Sequence, residues 1–172
     1  MTEPRDAAAP GEAGTAASLI RVGALYGALI NGLINGGLNA WKLAGKGPHL
    51  LSADSIANRE PSVLGSAVTL AACLAFNVST IQFFLFRRKA TVLSLAREPL
   101  LGRPYFFFGF RQALASALLV FAVAISVGVL WQRYVGTLTV STPVAALIAA
   151  GIAAVATYYT TTRICWAILG ER

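Results

Sequence analysis

Carboxylates are scarce in this 172-residue chain, and none falls inside an apolar run. The seven are Glu3, Asp6, Glu12, Asp54, Glu60, Glu98 and Glu171. A proton- or cation-coupled carrier normally places a carboxylate near the bilayer midplane, because the coupling ion needs a group that changes charge. That class is disfavoured. Histidine occurs once, as His49, and cysteine twice, as Cys73 and Cys165. No His/Cys cluster has metal-ligand spacing, so neither a metal nor a cofactor is expected. Both cysteines fall in or beside apolar runs, which argues against a disulfide framework. Charged residues of both signs make up 12% of the chain. An ordinary soluble domain has roughly 25%.

Long uncharged runs take their place. Val22–Trp41, Pro61–Phe86, Gln112–Gln132 and Tyr134–Thr162 carry no charge. A helix crossing the roughly 30 Å hydrocarbon core needs about 20 mostly apolar residues. Barrel strands would instead show about 10 residues of strict alternation. The expected fold is therefore all-α: a polytopic integral membrane protein with a bundle of four transmembrane helices. The spans are placed at about residues 18–40, 61–86, 110–132 and 142–166 within a membrane domain covering 18–172. Residues 1–17, rich in Ala, Pro, Gly and Glu, read as a disordered cytoplasmic tail. They lack the features of a signal or transit peptide, so the first span is expected to be retained.

The net charge of +7 comes from basic residues that flank the spans. That placement points to topology rather than to nucleic acid. Putting the basic 87–109 loop in the cytoplasm leaves ten basic residues inside and four outside, accounting for all fourteen. The expected orientation is N-in/C-in, and the composition suggests a bacterial inner membrane. Arg87, Arg88, Lys89, Arg97 and Arg103 would lie where anionic lipid head groups attract cations, at about 1 kcal/mol each. A pure topology signal explains the same residues.

Finer features follow from local rules. Ser52 is placed as the N-cap of a short helix over Ser52–Asn58, and Pro61 in the first turn of span two. Val92–Ala96 fits a short interfacial helix. Tyr105–Phe110, "YFFFGF", reads as an aromatic belt before span three. Thr142 is placed as the N-cap of span four, with Pro143 at its first helical position. No convincing repeat relates the first pair of spans to the second, so an inverted-repeat transporter is not supported.

The most unusual stretch is "LINGLINGGLNA", Leu29–Ala40. Residues four apart share a helix face. Asn31, Asn35 and Asn39 therefore form a ladder beside a second one of Ala24, Ala28, Gly32, Gly36 and Ala40. Small residues at this spacing let helices approach closely. Amides facing lipid are costly, so the ladder is expected to turn inward. Its expected partners are Ser66, Thr69, Cys73, Asn77 and Thr80, which share one face of span two with Ser62. Span four adds a stripe that includes Thr157 and Thr161. The ladder reads either as packing glue, at about 0.6 kcal/mol per interhelical bond, or as the lining of a watery path.

Three functions compete on these grounds. The leading one is a non-enzymatic small multi-pass protein that associates through small and polar helix faces. Its partners would be the bilayer, anionic lipid, and either further copies or a larger membrane complex. The second is a passive channel or uncoupled transporter lined by the asparagines. The third is a membrane enzyme acting on lipid-like substrates through His49, Asp54, Arg59 and Glu60, whose spacing matches no catalytic motif.

Overall fold

The computed structural model describes residues 10–52, 62–92 and 105–169. Its elements are α1 (Pro10–Leu43), β1 (His49–Leu51), α2 (Val63–Val92), α3 (Tyr105–Tyr134), β2 (Leu138–Val140) and α4 (Thr142–Leu169). Four helices are each long and apolar enough to cross a membrane, over Ala16–Leu43, Val63–Arg88, Phe106–Tyr134 and Thr142–Leu169. Among the described residues the fold is all-helical apart from one short two-stranded ribbon.

The helix bounds differ from expectation in identifiable ways. Helix α1 begins at Pro10, inside the segment expected to be disordered. Burial explains this: Ala16 and Ile20 pack into a cluster with Phe83, Ile164, Cys165, Ile168 and Leu169, and that contact extends the helix. Helix α2 runs on through the basic "RRK" to Val92 rather than stopping at residue 86. "YFFFGF" is the first turns of α3 itself, with Phe108 packed on Phe83 at a ring-centroid distance of 5.9 Å. At α4, Ala145 N donates to Ser141 O at 3.0 Å, so Ser141 is the N-cap and Thr142 is already helical. The α2 cap is Ser62, whose Oγ accepts from Gly65 N at 2.9 Å. The proposed helix at Ser52–Asn58 lies outside the described residues beyond Ser52, as do Pro61 and the remainder of the interfacial segment after residue 92.

The helices pack as a row, not a ring. Helix α1 packs on α4, α4 on α1 and α2, and α2 on α4 and α3. The order across the layer is α1–α4–α2–α3. Strands β1 and β2 pair antiparallel, His49 with Val140, Leu50 with Thr139 and Leu51 with Leu138. The ribbon ties the loop of the first helical hairpin to that of the second. Glycines at positive φ make the turns into both strands, Gly45 and Gly47 before β1 and Gly136 before β2. Gly136 closes α3, its N–H donating to Trp131 O at 3.1 Å.

Exchanging the hairpins leaves the main helix and strand pairings unchanged. The α1–α4 pair maps onto α3–α2, the α2–α4 pair maps onto itself, and β1–β2 maps onto itself. The halves are thus alike in their main pairings, although no repeat is visible in the residues and only β1 of the two strands packs on α2 and α4. An all-apolar span accepts so many sequences that shared packing leaves little trace in residue identity.

Close approach sets the α1–α4 contact. A Cβ on Gly32 would stand 3.2 Å from Ala150 O and 3.3 Å from Ala154 Cβ. Ala24 and Ala28 are buried on the same face. The small-residue ladder of α1 is therefore the seam against α4. At the α2–α3 contact a Cβ on Gly109 would meet the Phe83 ring at 2.6 Å.

Candidate functional site: the groove between α1 and α2

Because α4 separates α1 from α2, a groove runs between them with α4 as its floor. At the end where the two hairpin loops meet, it widens to a cavity of about 540 Å³. Helix α1 supplies Asn35, Asn39 and Lys42, and the turn after it supplies Lys46. His49 and Leu50 roof the cavity, Ser66 and Leu70 form the α2 wall, and Ala149 lies in the floor.

The asparagine ladder is half-buried along this groove. Each amide first serves its own helix. Asn31 Nδ2 donates to Gly27 O at 3.2 Å, Asn35 Nδ2 to Asn31 O at 2.9 Å, and Asn39 Nδ2 to Asn35 O at 2.8 Å. An amide has two N–H donors and a carbonyl acceptor, so this bond leaves one N–H and the Oδ1 of each available. The ladder therefore presents repeated donor–acceptor pairs about 6 Å apart, the rise of four helical residues.

The structure brings Asn35, Asn39 and Ser66 to one cavity. It does not bury the rest of the α2 stripe against the ladder. Ser66, Thr69, Cys73 and Asn77 are exposed, and Thr80 is half-buried. Thr69 and Thr80 turn their hydroxyls back to Gly65 O at 3.2 Å and Phe76 O at 2.9 Å. The buried face of α2 is instead Ala67, Ala71, Ala75 and Ser79. The expectation of an inward polar stripe on α2 is thus corrected. Close contact with α4 needs the smallest side chains, and alanine meets that need better than a hydroxyl or an amide. By helical phase Cys73 and Asn77 lie on the same side of α2 as Ser66, about 10 and 16 Å deeper along the axis.

Gly32 and Gly36 are buried at the α4 seam. Thr157 and Thr161 are buried in α4, with Thr157 Cγ2 3.5 Å from the Cβ position of Gly27. Their hydroxyls have no hydrogen-bond partner among the described residues. At the other end of the molecule Arg87 is half-buried and Arg88 exposed. The Lys89 side chain, Arg97 and Arg103 lie outside what is described, as do Asp54, Arg59 and Glu60. His49 is half-buried, and its Nε2 shares a 3.1 Å hydrogen bond with Thr142 Oγ1, tying β1 to the first turn of α4.

Lys42, Lys46 and His49 were not grouped with the ladder on sequence grounds. The signal was present: Lys42 follows Asn31, Asn35 and Asn39 closely enough to continue their face by one short step. Among the described residues no group of His, Cys, Asp and Glu is placed to hold a metal ion. The chain matches no family model, no curated protein and no solved structure.

Proposed function

We propose that this chain is a small, non-enzymatic multi-pass membrane protein that assembles laterally, with further copies or within a larger membrane complex, through the α1/α2 groove. The supporting observation is the exposure of Cys73 and Asn77 on α2 at membrane depth, opposite the half-buried asparagines of α1. An amide in hydrocarbon without a partner costs several kcal/mol in apolar-transfer terms, so a polar wall on each side of an open groove favours a helix seated between them. The row arrangement supports association over a one-chain channel, since a row of helices encloses no central path. A path lined by the asparagines would need a second copy as its other wall.

The orientation belongs to the same proposal. The N-terminal part of α1 and the C-terminal part of α4 pack together with Phe83 at the end of the bundle near Arg87 and Arg88, which favours N-in/C-in in a bacterial inner membrane. The test is the native mass of the full chain in nanodiscs, with bound lipid counted separately. The wild type is expected to run as a defined complex, and the Cys73→Leu/Asn77→Leu double variant as a smaller species. A variant that keeps both its fold and the wild-type mass would overturn the reading.

A further inference from the structure

We propose that the wide end of the α1/α2 groove is a binding site for the phosphate head group of an anionic phospholipid. This goes beyond lateral assembly and does not depend on it.

The position comes first. The apolar span of α1 ends at Leu43, and the cavity contains both that residue and Lys42 in the last helical turn. Helix α2 starts at Val63, which also lines it. The cavity therefore sits where the hydrocarbon gives way to the head-group layer.

The chemistry comes second. Lys42 and Lys46 bring two ammonium groups, and no carboxylate is among the described lining residues. The first turn of α2 opens on the same space, and a helix N-terminus carries a partial positive charge. Asn35 and Asn39 each retain one N–H beyond the bond to their own helix. Below this polar rim the walls are Leu38, Leu70, Ala67 and Ala149, suited to the first methylenes of an acyl chain. The volume of about 540 Å³ lies within the usual range of small-molecule sites, about 300–1,000 Å³, and is larger than a bare phosphate needs.

The other half of the molecule provides an internal comparison. Exchanging the hairpins maps this groove onto the one between α3 and α4 over α2, whose cavity of about 470 Å³ lies deeper along the helices, at residues 119–128 of α3 and 152–159 of α4. That second groove is lined by residues such as Leu119, Val123, Val127, Ile152 and Val155, with no charged side chain. Equivalent helix packing thus produces a groove in both halves. The asparagine amides of α1 have no counterpart along that second groove, whereas a cation recurs at the matching helix end, Arg133 standing one residue before the end of α3 as Lys42 does in α1.

The experiment is native mass spectrometry of the full-length protein titrated with phosphatidylglycerol or phosphatidylcholine. One phosphatidylglycerol is expected to bind more tightly than phosphatidylcholine. Lys42→Gln/Lys46→Gln should weaken it about 30-fold, near 2 kcal/mol for two interfacial cations, and leave phosphatidylcholine unchanged. Lys42→Arg/Lys46→Arg, which keeps charge, should retain the preference. Asn39→Leu, with both lysines present, should weaken phosphatidylglycerol about tenfold. Arg87→Gln/Arg88→Gln, at the opposite end, should leave this molecule bound. If Asn39→Leu binds like the wild type, the lysines act only as diffuse surface charge and the site is overturned. Displacement of the lipid by millimolar inorganic phosphate would overturn the phospholipid assignment in favour of a free-anion site. Unchanged affinity in the Lys→Gln variant would overturn both.

Discussion

Gly36 lies against Ala150 so closely that a Cβ on the glycine would come within 2.9 Å of the alanine Cβ. The same Cβ would stand 3.4 Å from Ala146 O. Neither neighbour is the free end of a flexible chain, so relief requires α1 and α4 to move apart. Gly37, the next residue, has nothing within 4 Å of its Cβ position. The two glycines therefore form a matched pair. Gly37→Ala should be neutral or stabilising by up to about 1 kcal/mol, the helix-propensity gain. Gly36→Ala gains the same propensity but meets overpacking of about 1–3 kcal/mol. Comparing the unfolding midpoints of the two variants in mild detergent isolates the clash. Equal midpoints would show that the seam is looser than this geometry.

A second contact of this kind joins the other pair of helices. A Cβ on Gly109 would sit 2.6 Å from the Phe83 ring, and Phe83 is buried in the cluster that unites all four helices at the terminal end. Gly109→Ala should cost about 1–3 kcal/mol by forcing the ring aside. Phe83→Leu also destabilises by removing buried surface, yet it opens room for the added methyl. The double variant should therefore be more stable than the sum of the single losses, with a coupling of about 0.5–3 kcal/mol. Additive losses in a double-mutant cycle would rule out the direct contact.

The α1 seam was legible in the residues and the α2 face was not, for one physical reason. Spacing of four specifies which side chains share a face, and in α1 the ladder from Ala24 to Gly36 could only be a close contact. In α2 the same rule grouped Ser66, Thr69, Cys73 and Asn77 correctly but said nothing about which neighbour they meet. Assuming that polar faces turn inward sent them to the wrong side. The alternative face, Ala67, Ala71 and Ala75, fits α4 more tightly. The ribbon was illegible because three residues such as His49–Leu51 are too few to show a strand period. The cavity was half legible: Asn35, Asn39 and Ser66 were singled out, while Lys46 and His49 arrive there through the glycine turn after α1.

Thr157 and Thr160 face opposite expectations although both are buried in α4. Thr160 Oγ1 donates to Ala156 O at 2.7 Å, whereas Thr157 Oγ1 has no partner among the described residues. Valine matches threonine in shape and removes only the hydroxyl. Thr157→Val deletes an unpaired buried polar group and should stabilise by up to about 1 kcal/mol. Thr160→Val deletes a made bond and should cost about 0.5–1.5 kcal/mol. Thermal unfolding of the two variants should therefore shift in opposite directions. A loss in Thr157→Val comparable to that in Thr160→Val would mean that the Thr157 hydroxyl is engaged after all, for instance by water.

Asn35 separates self-satisfaction from association. Its Nδ2 donates to Asn31 O, a carbonyl already placed in the helix ladder, so the bond adds little to the fold. Asn35→Leu should change the unfolding midpoint of the isolated chain by the equivalent of less than about 1 kcal/mol, since leucine is also the better helix former. The variant nevertheless removes a free N–H and a free carbonyl from the groove. If a partner helix or a second copy uses them, the native mass in nanodiscs should fall while the midpoint holds. A large midpoint loss with an unchanged mass would assign the ladder to the fold of the single chain. The groove would then serve lipid rather than protein, and the exposed Asn77 would need another account.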